Sequence, residues 1–203
     1  VHAQNVKTKM KLIVTIVVLA SMAGVIHAQD TVRLELKHRY NDPQPIVEPA
    51  DTLGVVILEQ PREAPAGTIL LKHYDTALVQ RWEHEYSYNK KLNLTQQKIA
   101  EGKLYTLFSN EYQEVFEIGV TDLLTGSTQL HAFTYFSRFV IEDFCVNNGE
   151  VYVAGLLRKL PAAIRVNPIS GNITSLPMAT DAKKVKVQDI FVTKAGQVSI
   201  TLN

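Results

Sequence analysis

The chain has 203 residues, of which 46% are apolar and 20% are charged, and its formal net charge is +1. This length is enough for one domain with a hydrophobic core, and the composition excludes a chain that is disordered throughout. A near-neutral chain also lacks the basic excess typical of proteins that bind nucleic acid, so no nucleic-acid partner is expected.

Residues 1–28 are predicted to be upstream residues followed by a signal peptide. Met10 and Lys11 precede an apolar run over residues 12–26, and Ala28 follows as a small residue before a polar segment. This order is typical of a secretory signal helix that is cleaved, here after Ala28. We therefore expect an extracytoplasmic protein that is periplasmic, attached to the cell surface or secreted. Contact with a membrane is expected only through this signal, if it remains uncleaved.

Residues 29–53 are predicted to form a separate segment. Residues 32–40 alternate apolar and polar side chains, as a strand does, and residues 41–49 are rich in proline. The segment is either a linker or the outer strand that fastens the last sheet of the protein to the first, and we favour the second interpretation.

A repeat of about 47 residues organises residues 54–203. Gly102, Gly149 and Gly196 lie 47 residues apart, and each precedes an alternating apolar run. Each period contains four short candidate strands, and one further period extends back to residue 54. In chain order these strands are 54–60, 68–75, 79–87, 92–100, 103–109, 115–122, 127–133, 139–146, 150–157, 162–167, 172–177 and 185–192. The segment 92–100 is weak and could instead be helical.

Two further markers share this period. Asp75, Asp122 and Asn167 lie 47 and 45 residues apart, and a glycine follows the last two after four residues, at Gly126 and Gly171. An Asp or Asn that opens a turn and a Gly that closes it are typical of a β-hairpin. The third marker is an Asp that precedes the leading glycine, at Asp143 and again at Asp189.

Four antiparallel strands in about 40–50 residues are typical of a β-propeller blade. The sequence therefore predicts an all-β chain, a propeller fragment of about three four-stranded blades plus the start of a fourth. Because propellers close with four to eight blades, we expect this chain to be the N-terminal part of a longer protein. An open stack or sandwich of β-meanders is the alternative.

The pattern Asp-x-x-Thr-Gly at 122–126 resembles the repeat of bacterial quinoprotein-like propellers, and the likeness covers roughly residues 54–203. That family usually carries a Trp shortly after the Gly, and this Trp joins adjacent blades. Here no Trp follows Gly126 or Gly171, and the single Trp of the chain, Trp82, lies in the corresponding strand of the first repeat.

No catalytic residue, cofactor site or metal site is predicted. Asp143 and Asp189 are candidates for lining the central channel, where carboxylates could bind a cation or a polar ligand. Their other interpretation is hydrogen bonding to neighbouring backbone. Trp82, Tyr86 and Tyr88 could form an aromatic surface that stacks on sugar rings, or they could pack between blades.

Two further residue types could carry chemistry. His84 and His131 lie 47 residues apart, so they occupy equivalent blade positions and could hold a metal, although surface positions are favoured. Cys145, the only cysteine, is interpreted as a small buried apolar residue instead of a nucleophile.

Function is predicted at the level of class. The expected protein is an exported, non-catalytic propeller that acts as a binding or assembly platform for a protein or a glycan in the cell envelope or outside the cell. The alternative is the N-terminal part of a secreted propeller enzyme, glycan-active or quinone-dependent, whose active site lies outside this sequence.

Overall fold

The computed structural model describes residues 12–14, 33–36, 43–112, 114–135, 138–178 and 185–203. The predicted signal helix and the cleavage site after Ala28 lie outside these residues, apart from Leu12–Val14. Those three residues form strand β1, which pairs antiparallel with strand β2, Leu34–Leu36. In the described part of the chain, no helix is long and apolar enough to cross a membrane.

Apart from one short 3₁₀ turn, the regular secondary structure of the described residues consists of β-strands. The remaining strands are β3 Ile46–Pro49, β4 Val55–Glu59, β5 Thr68–Tyr74, β6 Gln80–Ser87, β7 Asn93–Ala100, β8 Lys103–Ser109, β9 Val115–Asp122, β10 Thr128–Thr134, β11 Phe139–Asn147, β12 Glu150–Leu157, β13 Leu160–Val166, β14 Ile173–Leu176, β15 Val187–Val192 and β16 Val198–Leu202. One 3₁₀ turn, Asp51–Leu53, separates β3 from β4.

The strands form successive antiparallel meanders. The first sheet has the order β3-β4-β5-β6, the second β7-β8-β9-β10 and the third β11-β12-β13-β14, and β15 pairs with β16 in a fourth, two-stranded sheet. This is the predicted propeller fragment of three blades and the start of a fourth. The bounds predicted for β8, β9 and β12 are those observed, and residues 93–100 form a strand, so the helical alternative for that segment was wrong.

The first blade begins before residue 54. Ile46–Pro49 pairs with β4, so the predicted boundary at residue 54 falls between the first and second strands of this sheet. The segment that precedes β4 thus supplies the first strand of the first blade. Leu36, which is buried, packs against Val55, Ile57 and Tyr74 and covers one face of that blade.

Tight turns explain the glycine period. The two-residue turns Glu101–Gly102 and Asn148–Gly149 have positive φ at both positions, 53° and 72° in the first and 52° and 72° in the second. Such a turn matches the right-handed twist of the strands, and glycine adopts its second position without steric strain. Gly102, Gly149 and Gly196 therefore lie in the first hairpin of the second, third and fourth sheets, as the spacing predicted.

Apolar clusters lie between consecutive sheets. One joins the first and second sheets around Leu71 and Phe108, a second joins the second and third around Phe116 and Val153, and a third joins the third and fourth. Each sheet alone would leave an apolar face in water, so the neighbouring blade supplies the missing half of the core. Because short strands inside a blade are covered on both faces by neighbouring blades, the repeat predicts that Leu104, Leu107, Val151, Val153 and Ile200 are buried. Leu104, Leu107, Val151 and Val153 are buried as predicted. Ile200, in the two-stranded fourth sheet, is only half-buried, which corrects that prediction.

Candidate functional site

The first strands of the blades carry a polar network that spans the sheets. The ammonium of Lys98 on β7 lies 2.8 Å from Oδ1 of Asp143 on β11. The other oxygen, Oδ2, accepts a hydrogen bond from the backbone N–H of Ile190 on β15 at 3.0 Å. The Asp143 side chain is only 12% exposed. This carboxylate therefore joins three consecutive blades.

A recurring β-bulge shapes this network. Thr95, Glu142 and Gln188 are each skipped in the pairing of the first two strands of their blade, at intervals of 47 and 46 residues. The extra residue twists a strand locally and redirects the side chains beside it. The carboxylate of Glu142 accepts the backbone N–H of Val187 in the next sheet, at 2.6 Å. The amide of Gln96 donates to the backbone carbonyl of the same glutamate.

Similar contacts link the remaining first strands and hairpins. Gln97 on β7 donates from Nε2 to Oε1 of Glu48 on β3, at 2.8 Å. The carboxylate of Glu101 accepts the backbone N–H groups of Asn148 and Gly149 at the tip of the next blade's hairpin. The Glu101 contacts satisfy two backbone N–H groups of that hairpin tip, whereas the Gln97–Glu48 contact joins two side chains. They also hold the blades in register.

Asp189 occupies the position in the fourth sheet that Asp143 occupies in the third. Each lies directly after the bulge, and each is paired five residues beyond the leading glycine, Asp143 with Ala154 and Asp189 with Thr201. Their surroundings differ, because Asp143 is buried and Asp189 is exposed. The structure therefore brings Asp143 together with Lys98 and with Ile190, the residue that follows Asp189, whereas the Asp189 side chain itself is exposed.

The aromatic stripe packs between the first two blades. The Trp82 indole donates from Nε1 to the backbone carbonyl of Leu123 at 2.8 Å, and its ring lies against Gly126. The hydroxyl of Tyr86 is 2.8 Å from Oγ1 of Thr106, and the ring of Tyr88 stacks on that of Phe108 with centroids 4.1 Å apart.

The placement of these rings has an electrostatic consequence. Burial raises the pKa of Tyr86 above that of a free tyrosine, so its hydroxyl stays neutral and able to donate. Trp82, Tyr86 and Tyr88 are all half-buried, and the polar atom of each is hydrogen-bonded, that of Tyr88 to the side-chain amide of Gln60 at 3.2 Å. Their position is that of blade-to-blade packing.

The histidines and the cysteine are not gathered at one place. His84 on β6 and His131 on β10 are both half-buried, each on the last strand of its own blade. Among the described residues, no three His, Cys, Asp or Glu side chains lie close enough together to hold a metal ion. Burial raises the pKa of the Cys145 thiol to about 11, so the reactive thiolate is scarce at neutral pH.

The two ends of the sheets differ in charge. Because every sheet is a meander, its connections alternate between the two ends. The hairpin end consists of residues 50–54, 75–79, 101–102, 123–127, 148–149, 167–172 and 193–197. The loop end consists of the described residues 60–67, 88–92, 110–112, 114, 135, 138, 158–159, 177–178 and 185–186.

The loop end carries most of the basic side chains. Its basic residues are Arg62, Lys90, Lys91, Arg138, Arg158, Lys159 and Lys186, and its acidic residues are Glu63, Glu111 and Glu114. Within the residues defined as the hairpin end, the charged side chains are Asp51, Asp75, Glu101 and Lys194. A chain of nearly zero net charge is thus polarised from one end of its blades to the other. Sequence spacing could not show this, because the two sets of connections alternate along the chain.

Comparisons with known proteins give a fold-level likeness. No protein family and no curated protein matches the sequence. Two similar solved structures are an ACO/RPE65 chimera, with 10% identity and a TM-score of 0.49, and a mutant of Synechocystis apocarotenoid oxygenase, with 9% identity and a TM-score of 0.48. Each match covers 86% of this chain and 54% of the other chain, so this chain spans about half the length of those proteins.

Proposed function

We propose that this chain is part of an exported, non-catalytic β-propeller that acts as a binding or assembly platform. The observation that carries the proposal is that the polar side chains of the first strands bond to other blades, whereas those of the loop end are exposed. Those on the first strands, centred on Asp143, hydrogen-bond to the next blade and hold the sheets together. The basic side chains of the loop end, such as Lys90, Arg138 and Arg158, are instead exposed, which supports their availability for a partner.

Export belongs to the same proposal and rests on the order of residues 10–28. A basic start, an apolar run and a small residue before the polar segment support a cleaved signal and a mature N-terminus at Gln29. The mature protein would then be periplasmic, displayed at the cell surface or secreted.

A relationship to quinoprotein-like propeller repeats is also proposed. In the first two blades the indole of Trp82 meets the Asp-x-x-Thr-Gly turn at 122–126, donating to Leu123 and packing on Gly126. A tryptophan that joins one blade to the turn of the next is the feature that the family resemblance implies. The second and third blades, which lack this Trp, are instead joined by contacts such as the Lys98–Asp143 ion pair.

Two measurements test the function. The full chain would be expressed with its own N-terminus in a bacterial host, and the mature N-terminus in each cell fraction determined by mass spectrometry. The purified chain would then be titrated against isolated cell envelopes and their purified polysaccharides, while released sugar is measured. We expect export, a start at Gln29 and saturable binding without release of product. Retention in the cytosol, absence of all binding, or turnover of a bound glycan would overturn the proposal.

A further inference from the structure

The basic side chains of the loop end lie on connections that touch one another. The side-chain amide of Asn110 donates to the backbone carbonyl of Lys91 at 3.0 Å. The backbone N–H of Arg138 donates to the backbone carbonyl of Glu111 at 3.1 Å, and that of Arg158 donates to the backbone carbonyl of Arg138 at 3.4 Å. Connections from the first, second and third blades thus form one continuous surface.

Backbone conformation sets three of these residues apart. Arg138, Arg158 and Lys159 have φ values of 66°, 52° and 72°, in the left-handed region that L-residues with side chains adopt at a cost. Residues held there without glycine often mark positions retained for function.

The two hairpin turns of the third blade share a backbone conformation but differ in their residues. The turn Arg158–Lys159 joins Leu157 to Leu160 as a two-residue hairpin, with the same pair of positive φ values as Asn148–Gly149. Asn-Gly is the pair that this turn type favours, because Gly has no Cβ and Asn tolerates the left-handed region. The chain uses Asn-Gly at the hairpin end of the third blade and Arg-Lys at its loop end. Turn stability does not explain the second choice, whereas a requirement for positive charge does.

The positive charges of Arg138, Arg158 and Lys159 are not paired with acidic side chains of the described residues. Arg138, Arg158 and Lys159 are exposed, and within the described residues none of them forms an ion pair. Tyr112 projects from the same end and is 79% exposed. Its loop is held in shape by a hydrogen bond from its backbone N–H to Oδ1 of Asn110, at 3.0 Å.

We propose that the loop end binds an anionic glycan through Lys90, Lys91, Arg138, Arg158 and Lys159. This rests on the proposed function and names the partner of the platform. Guanidinium groups form paired hydrogen bonds with carboxylates and sulfates, which are the acidic groups of uronic and sulfated sugars. The exposed ring of Tyr112 supplies a flat apolar face of the kind that packs on sugar C–H groups. A repeating anionic chain matches basic groups that are spread over three blades.

The test compares one double variant with a matched control. Arg158→Asn/Lys159→Gly removes two charges and installs the pair that the turn favours, so it raises the melting temperature while it weakens binding. The control Lys103→Gln/Lys194→Gln removes two charges near the hairpin-end turns. Binding of the full chain to polygalacturonate, dextran sulfate and neutral dextran is measured by biolayer interferometry at low and high salt.

We expect binding to both anionic polymers that weakens as salt rises, and no binding to neutral dextran. The Arg158→Asn/Lys159→Gly variant should bind about tenfold more weakly, while the control changes affinity less than about twofold. Equal affinity of that variant and the wild type, or equal loss in the control, would overturn the assignment. So would binding to vesicles that contain anionic phospholipid without binding to either anionic polymer. Binding of a neutral glycan alone would refute this inference and leave the platform function standing, whereas product release would refute the platform function itself.

Discussion

The indole ring of Trp82 lies directly against the backbone of Gly126 in the neighbouring blade. A Cβ placed on Gly126 would lie 2.9 Å from Cδ2 of the indole, and the φ of this glycine is +73°. Gly126 thus meets two separate demands, a left-handed turn and room for the ring. Gly171 occupies the equivalent turn of the third blade with φ +74°, but a Cβ there would meet no atom within 4 Å.

Substitution of Gly126 and Gly171 should separate the cost of the left-handed turn from the cost of displacing the Trp82 ring. Gly171→Ala is expected to destabilise folding by about 1 kcal/mol through backbone strain alone. Gly126→Ala adds displacement of the indole and loss of its hydrogen bond to Leu123, so we expect about 2–4 kcal/mol. Urea unfolding followed by the fluorescence of the single tryptophan measures both. Equal losses in the two variants would contradict the docking of Trp82 on this turn.

Substitution of the equivalent residues Asp143 and Asp189 should change the stability of the protein by different amounts. Asp143→Ala removes the partner of the half-buried Lys98 and leaves the buried N–H of Ile190 without its acceptor, so it should cost about 1–3 kcal/mol. Asp189→Ala alters an exposed carboxylate and should change stability by less than about 0.5 kcal/mol. Circular dichroism during thermal unfolding provides the measurement. A large effect of the second substitution would mean that Asp189 also has a structural partner.

The blade repeat could be predicted from the sequence because the residues that form a tight turn are adjacent in the chain. A glycine that must adopt positive φ and an Asp or Asn that accepts turn N–H groups both recur with the blade, so Gly102, Gly149 and Asp122 mark the period directly. The first strand of the first blade was not readable in the same way. Ile46–Pro49 is short and proline-flanked, and only its pairing with β4 identifies it.

The contacts between blades could not be predicted from residue types. Thr95, Glu142 and Gln188 are the bulged residues of their blades. Because they are three different residue types, a search for repeated residues does not detect the repeat of the bulge. Burial of Asp143 and exposure of Asp189 likewise depend on the next sheet and not on the residues around them. The acidic residues that look alike in sequence therefore have different surroundings in the structure.

The Cys145 thiol should react slowly in the folded protein. Burial raises its pKa from 9.0 to about 11, so the thiolate fraction at pH 8 falls by about a hundredfold relative to an exposed thiol. Reaction with an aromatic disulfide reagent at pH 8 should therefore be at least about tenfold slower than in guanidinium-unfolded protein. A rate equal to that of the unfolded chain would indicate an accessible, activated thiol and would reopen a nucleophilic role.

Acid should weaken the Asp122 turn over a defined pH range. The hydrogen bond from the Thr125 N–H, with smaller help from the Thr125 hydroxyl and the Leu124 N–H, lowers the pKa of Asp122 below 3.8. A carboxyl whose pKa is lower in the folded state stabilises folding above its unfolded pKa, and that contribution is lost as pH falls through the folded value.

The variant Asp122→Asn isolates this contribution, because Asn167 opens the equivalent turn in the third blade without ionising. The stability difference between wild type and Asp122→Asn should be constant from pH 7 to about pH 5 and should shrink as pH falls below the ordinary value of 3.8. Urea unfolding at pH 7, 5 and 3 gives this difference at each pH. A difference that stays the same at pH 3, or that grows there, would show that the Asp122 carboxylate does not stabilise the turn through its charge.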